Sequence, residues 1–479
     1  MTSCAGGTSV VIALRLLLLG LLLCGLQGCS ASLAQLEGGQ GAFDPKTHFE
    51  ELEARGHAGV EPVVDGMEDA PFLVLKGGVV LTADGHRYDP GFVVMKAGRI
   101  LNVGGGEPGE VDGAKVVDVT GHFVTPGLID THSHLGVYPS PSARAHSDGN
   151  EATSPATGGV WSEHSFWPQD PGLERAIAGG VTTLQILPGS ANLVGGRTVT
   201  LHMVPHRGSR AMRFPGAPDG LKMACGENPK RVYGGRKQAP STRMGNLRGQ
   251  RALFMKAAEY RAKVDKSKGE PPARNLGMET LIGAMEGRIL VHVHCYRADD
   301  MLNMLQLSDE AGFKIRSFHH ATSAYKLRDI LAERDVSVST WADWWGFKLE
   351  AHDAILENAA FIHEAGARAI IHSDSARGIQ RLNQEASKAL HAGKRAGVAL
   401  DDNAALRWIT ANPAWALGIE DEVGTLSVGK RADVVVWDRH PLSVYASARW
   451  VFVDGTLRYD KARQDPPWSD FELGQGESP

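Results

Sequence analysis

Gly127-Leu128-Ile129-Asp130-Thr131-His132-Ser133-His134 is a short apolar run that ends in two imidazoles. Side chains two apart on a strand point to the same face. His132 and His134 can therefore converge on one cation at the end of that strand. Taken alone, such a pair is more often structural than metal-binding. Three later runs change the weighting. They end in His292-Val293-His294, in Phe318-His319-His320 and in His372-Ser373-Asp374-Ser375. Imidazoles and a carboxylate delivered to one place suit zinc or a similar divalent ion.

Around these runs, strand patterns alternate with helical ones. The expected strands are 127–131, 181–187, 198–203, 220–224, 289–294, 314–320, 336–340 and 369–373, the third being the weakest pattern. Helical patterns cover 299–311, 324–333, 350–365 and 378–396. A further helix is expected from Asn412, with Asn as cap and Pro413 at the first helical position. Strands that alternate with helices in this way argue for a parallel sheet closed into a (β/α)8 TIM barrel. The runs that end in His or Asp would then sit at its C-terminal mouth, with long insertions at 136–175 and 226–280 on the same side. Outside the barrel the texture is different. Short β-rich runs with Gly turns occupy 72–103 and return at 433–455, which indicates one small β-sandwich made from both chain ends. The expected divisions are a leader at 1–28, a tether at 29–70 and sandwich parts at 71–122 and 419–462. The barrel takes 123–418 and a tail 463–479.

The chain has 479 residues and a formal charge of −5. No long basic block occurs, so nucleic acid is not an implied partner. Arg15 precedes the apolar run Leu16 to Leu23, which is short for a membrane span of roughly 20 residues and fits a signal-peptide core. The run leads to Leu26-Gln27-Gly28-Cys29, which resembles a bacterial lipobox. That resemblance implies a chain cut before Cys29, lipidated there, and anchored in the cell envelope, with Ser30 pointing to the outer membrane facing the periplasm. An ordinary cleaved signal or a short retained anchor are the alternatives. Residues 30–69 read as a tether with one short helix near 48–55. Of five cysteines, only Cys225 and Cys295 lie in the body of the mature chain, without the CxxC spacing of a zinc site.

The run Val124 to His134 resembles the first metal motif of amidohydrolases. His294-Cys295-Tyr296-Arg297-Ala298-Asp299-Asp300 resembles the strand-five motif of the imidazolonepropionase-like branch. Asn412-Pro413-Ala414 and Val423-Gly424-Thr425-Leu426-Ser427-Val428-Gly429-Lys430-Arg431-Ala432-Asp433 are similar to the barrel-to-sandwich junction of that superfamily. The resemblance implies a ligand set of His132, His134, His294, His320 and Asp374, holding one or two divalent ions, zinc for preference. His292 shares a face with His294 and is read as support behind it. His319 and His320 point to opposite sides, and the family pattern selects His320, leaving His319 to pack behind the barrel. His372 is read as support for Asp374. A second ion needs a bridging group near the fourth strand. Lys222, as the carboxylated lysine some amidohydrolases use, and Glu227 both qualify, and Glu227 is favoured because a carboxylate needs no prior modification.

The function these residues imply is hydrolysis of a carbon–nitrogen bond in an amide, cyclic amide or dipeptide by metal-activated water. Asp374 is the general base. Deamination of a heterocyclic base is the alternative, and a non-catalytic binding lipoprotein is a third reading. The partner is a small molecule, and homo-oligomerisation stays open. Three other features have bland readings beside functional ones. Gly195-Gly196-Arg197 is a tight turn or an anion contact. Trp341, Trp344 and Trp345 are packing or a pocket wall. Lys230, Arg231 and Arg236 are solvated charges or a carboxylate selector.

Overall fold

The computed structural model describes residues 72–267 and 272–463, all within one compact unit. The expected leader, Cys29, the tether with its short helix, and nearly all of the tail lie outside the described residues.

Eight strands form the barrel: β6 (Leu128–Ser133), β7 (Val181–Ile186), β8 (Val194–His202), β9 (Gly220–Ala224), β10 (Leu290–Cys295), β11 (Ile315–His320), β12 (Ser337–Thr340) and β13 (Ala369–Ile371). They pair in that order. β6, β7, β9 and β12 are buried along their whole length, as strands covered on both faces must be. The ring is nearly closed. Between its two edges, the Asp374 N–H donates to the His132 carbonyl at 2.9 Å, and the Ser373 N–H donates to Asp130 at 3.2 Å.

One strand departs from the parallel pattern. β8 runs antiparallel to both β7 and β9. The connection from β7 holds only residues 187–193 and no helix, whereas a parallel return needs a crossover of about a dozen residues or more. β8 therefore starts at the mouth and ends at the opposite end of the barrel.

A second sheet uses both ends of the described chain. It contains β1 (Phe72–Leu81), β2 (Arg87–Lys96), β3 (Arg99–Gly105), β4 (Ala114–Asp118), β5 (Phe123–Pro126), β14 (Val434–Trp437), β15 (Ala448–Val453) and β16 (Thr456–Asp460). Its order is β16-β15-β14-β5-β1-β2-β3, with β4 on β1. Leu75, Val93, Val124, Val434 and Phe452 share one buried cluster, so the two ends of the chain build a common core.

The expected helices form with altered limits. Ala298–Ala311 and Leu382–Arg395 match closely, and Arg328–Glu333 is the regular part of the third. Of 350–365, only Asn358–Glu364 is α-helical, which leaves 341–357 to lie at the mouth. Asn412 is inside its helix rather than capping it. The helix spans Ala411–Leu417, and the Asn412 side chain donates to the Ala369 carbonyl at 2.8 Å, tying helix to barrel strand.

Candidate metal centre

At the barrel mouth, β6 carries Asp130 and His132 on one face, and His134 follows on the same parity. His132 Nε2 and His134 Nε2 lie 3.8 and 3.4 Å from Asp374 Oδ1. His320 Nδ1 lies 3.9 Å from Asp374 Oδ2, and the His294 ring is 4.6 Å from that of His320. Two trios, His132–His134–Asp374 and His132–His320–His372, each offer ligand atoms within 4.8 Å of one another. Both His320 and Asp374 adopt left-handed backbone, with φ of 67° and 47°. Such strain concentrates at functional sites, and here it turns each side chain out of plain strand alternation.

That turn decides which histidines face inward. In the β10–β11 register, His294 pairs with His319 and Cys295 with His320. His319 is thus the inward strand position, and the backbone twist at His320 brings a second imidazole to the same place. The expectation that only one of the two faces inward does not hold. His319 is fully buried between two rings: its Nδ1 is 2.8 Å from His132 Nδ1 and its Nε2 is 2.9 Å from His292 Nδ1. His292 Nε2 meets Gln185 Nε2 at 3.3 Å. A chain of three imidazoles and one amide therefore runs from His132 into the barrel.

Lys222, on β9, is fully buried, and its ammonium donates toward His132 Nε2 at 3.3 Å. Glu227 is not brought to the imidazoles. β9 ends at Ala224, and Gly226 turns the chain with φ of 75°. Its ψ of −146° completes a backbone conformation open essentially to glycine alone, and a Cβ there would also press on the Glu350 carboxylate. Glu227 then heads the helix Glu227–Gly235, its N–H donating to Glu350 and its carboxylate 3.5 Å from Lys348 Nζ. The next residue, Asn228, does reach the centre, with Nδ2 3.3 Å from His294 Nε2.

Burial governs the electrostatics. It holds His134 down to about 3 and keeps His132, His294 and His320 well below their ordinary value. Neutral imidazole is the ligating form. Burial lifts Asp374 to about 7 against the pull of Lys222, and lowers Lys222 to about 7 against the pull of Asp374. Nδ1 of His294, Nδ1 of His320 and both ring nitrogens of His372 are buried without a hydrogen-bond partner. Such an atom costs about 1–3 kcal/mol. His320 and His372 each bring a ligand atom within 4.8 Å of one on His132, and lone pairs gathered there without a donor fit a divalent ion, which accepts them. His372 packs its ring 5.0 Å from both His132 and His320. The support of Asp374 comes instead from its own backbone bond to β6.

The centre opens into a cavity of about 360 Å³, within the usual range for small-molecule sites. Tyr138, Asn150, Tyr296, Trp344, Phe347 and Lys348 line it beside the imidazoles and Asp374. Trp341 stacks on His320 with centroids 4.4 Å apart, and Trp345 packs against the Tyr296 cluster. Arg197 is held away by Thr280, Asp219 and the Trp161 ring. Lys230, Arg231 and Arg236 are not among the lining residues; Lys348 is the lining cation. Sequence reading did not single out Lys348, Asn228 or Asp130. Asp130 had a signal in its parity with His132. Lys348 is placed by a loop whose course no periodicity encodes, and Asn228 by the Gly226 turn that sets the direction of its helix. Cys225 and Cys295, for which no pairing was expected, form a disulfide between the ends of β9 and β10.

Residues 350–461 match the model of the Amidohydrolase family. A crystal structure of an amidohydrolase from Thermotoga maritima is 34% identical, with a TM-score of 0.75, over 81% of this chain and all of that one. Amidohydrolase tasK of Hapsidospora irregularis is 34% identical over 397 residues, which is 77% of this chain but 40% of that much longer protein. A 5-methylthioadenosine/S-adenosylhomocysteine deaminase of Symbiobacterium thermophilum is 25% identical over 76% of this chain and 85% of its own length. The chain belongs to the amidohydrolase family.

Proposed function

We propose that the protein is a metal-dependent hydrolase that cleaves a carbon–nitrogen bond in a small amide, cyclic amide or dipeptide. The observation that carries this reading is the convergence of four neutral imidazoles, His132, His134, His294 and His320, and the raised carboxylate of Asp374 on the floor of a single cavity. His132, His134, His294, His320 and Asp374 would hold the ion, with Lys222 as the bridge for a second; His and carboxylate donors favour zinc. Bound there, a divalent ion lowers the pKa of water and polarises a carbonyl. Asp374 takes the proton from the attacking water and hands it to the leaving nitrogen. Between Lys222 and Glu227, Lys222 is preferred because its terminal atom stands among the imidazoles. Its lowered pKa leaves part of the amine neutral near pH 7, the form that can add CO2 to give a carbamate and a proton.

Deamination is the second reading, favoured by the similarity to a named deaminase. A screen of dipeptides, N-acyl amino acids and cyclic amides, run beside an ammonia assay on heterocyclic bases, separates the two. Asp374→Asn should lower kcat on the best substrate by about 10²–10⁴ with little change in Tm. Survival of kcat within a few-fold would remove Asp374 from the proton transfers.

Two further expectations belong to the same reading. The end-built sheet folds over its shared core as a small sandwich. The chain is exported and lipid-anchored through Cys29, a reading that rests on the apolar run Leu16 to Leu23 and on Leu26-Gln27-Gly28-Cys29. The mass of the native N-terminal peptide decides the anchor: an unmodified start elsewhere, with Cys29 a free thiol, excludes it.

A further inference from the structure

Lys348 comes from the stretch that follows β12, and its side chain is only 15% exposed. Its ammonium donates to Asn228 Oδ1 at 2.8 Å and sits 4.7 Å from the centroid of the Tyr296 ring. Glu227 Oε1 approaches to 3.5 Å, close enough to offset charge but longer than a good charge-assisted hydrogen bond. Glu227 itself does not line the cavity, whereas Lys348 does. An ammonium has three donors, and these contacts leave capacity on the cavity side.

Asn228 links this cation to the metal centre. Its Oδ1 accepts from Lys348, while its Nδ2 donates to Ser190 Oγ at 2.7 Å and lies 3.3 Å from His294 Nε2. One carboxamide thus separates the ammonium from a ligating imidazole. An N-acyl amino acid likewise holds its carboxylate close to its amide, with only the α-carbon between the carboxylate and the amide nitrogen. Beside Lys348, Trp344 and Phe347 are 46% and 53% exposed, with rings 5.7 Å apart. Large apolar side chains left this open at a cavity rim offer a surface to an apolar group.

We propose that Lys348, held by Asn228, anchors a carboxylate that the substrate carries within a few atoms of the scissile bond, while Trp344 and Phe347 receive an apolar side chain. This rests on the hydrolase reading and narrows its substrates to N-acyl amino acids and dipeptides with an apolar residue, against uncharged cyclic amides.

The test is equilibrium binding to the full-length, zinc-loaded protein by calorimetry. The probes are N-methylsulfonyl-L-phenylalanine and N-methylsulfonyl-L-phenylalaninol, which differ only in carboxylate against hydroxymethyl and contain no acyl C–N bond to cleave. The acid should bind wild type at least about tenfold tighter than the alcohol, as expected for a charge-assisted contact. In Lys348→Met the preference should fall to within about twofold. Lys348→Gln, which keeps a polar group for Asn228, should lose it equally if the Met variant folds poorly. Equal binding of the two probes to wild type overturns the anchor. So does no binding of the acid, or a preference that survives both substitutions because the metal centre itself holds the carboxylate. Neither probe is turned over, so an absence of hydrolysis in the substrate screen leaves this ratio unchanged and counts against the activity alone.

Discussion

His319 is predicted to tune metal affinity although it is not a ligand. Binding of an ion at His132 Nε2 requires the proton on Nδ1, which must then donate to His319 Nδ1, 2.8 Å away. His319 in turn carries its proton on Nε2 and donates to His292 Nδ1 at 2.9 Å. The remaining proton of His292 needs an acceptor, and Gln185 supplies one when its amide is turned so that Oε1, otherwise buried and unpaired, faces the ring. His319→Leu cuts this chain at its middle. Both of its bonds are short, and His132, His292 and His319 are at most 1% exposed, so no water replaces what is lost. Removing such an outer partner lowers metal affinity about 10–100-fold, or about 1.4–2.8 kcal/mol. Competition for zinc against a chromophoric chelator measures it, with the Tm of the metal-free protein recorded in parallel. If zinc affinity stays within about twofold while the metal-free Tm falls, His319 merely packs and the tautomer argument fails.

Lys222→Ala should lower the number of ions held per chain, whereas Glu227→Gln should retain them; metal content showing the reverse would restore Glu227 as the bridge. A second prediction concerns the far end of β8, where His202 lies 3.0 Å from Asp433 and 3.4 Å from Asp454, with Arg431 opposing its charge. Burial works against the His202 charge, but Asp433 and then Asp454 outweigh it and raise the pKa. Burial likewise opposes the Asp433 charge, and His202 outweighs it and lowers the pKa. The His202 contribution is complete below its unfolded value of 6.5 and fades as pH rises through the raised folded value. The Asp433 contribution is complete above 3.8 and fades as pH falls through the lowered one. The Tm deficit of His202→Asn should therefore be larger at about pH 5 than at about pH 9; equal deficits would show that the pair is not ionised as described.

Much of this architecture is readable wherever one regular period governs. His132, His134 and His294 follow from alternation along strands that end at one rim, and all eight barrel strands lie where their apolar runs predicted. The exceptions share a cause: each is a place where the backbone leaves its period. β8 reads as a strand but reverses direction because no helix separates it from β7. His320 would face outward but for its left-handed backbone. Gly226 carries Glu227 off the line of β9, so proximity in sequence misjudged its reach. Lys348 belongs to an irregular segment, and nothing in its local pattern distinguishes it from a solvated lysine. Asn412 has the composition of a cap, yet its side chain is taken by the Ala369 carbonyl.

The central claim is that the mouth of this barrel is a divalent-metal site. The direct test is elemental analysis of the purified, desalted full-length protein beside a His132→Ala/His134→Ala variant, with circular dichroism to confirm that both are folded. The account predicts at least about one divalent ion per chain in the wild type, lost in the folded double variant. A wild type that neither retains nor takes up such an ion, or a double variant with the same metal content, would contradict it.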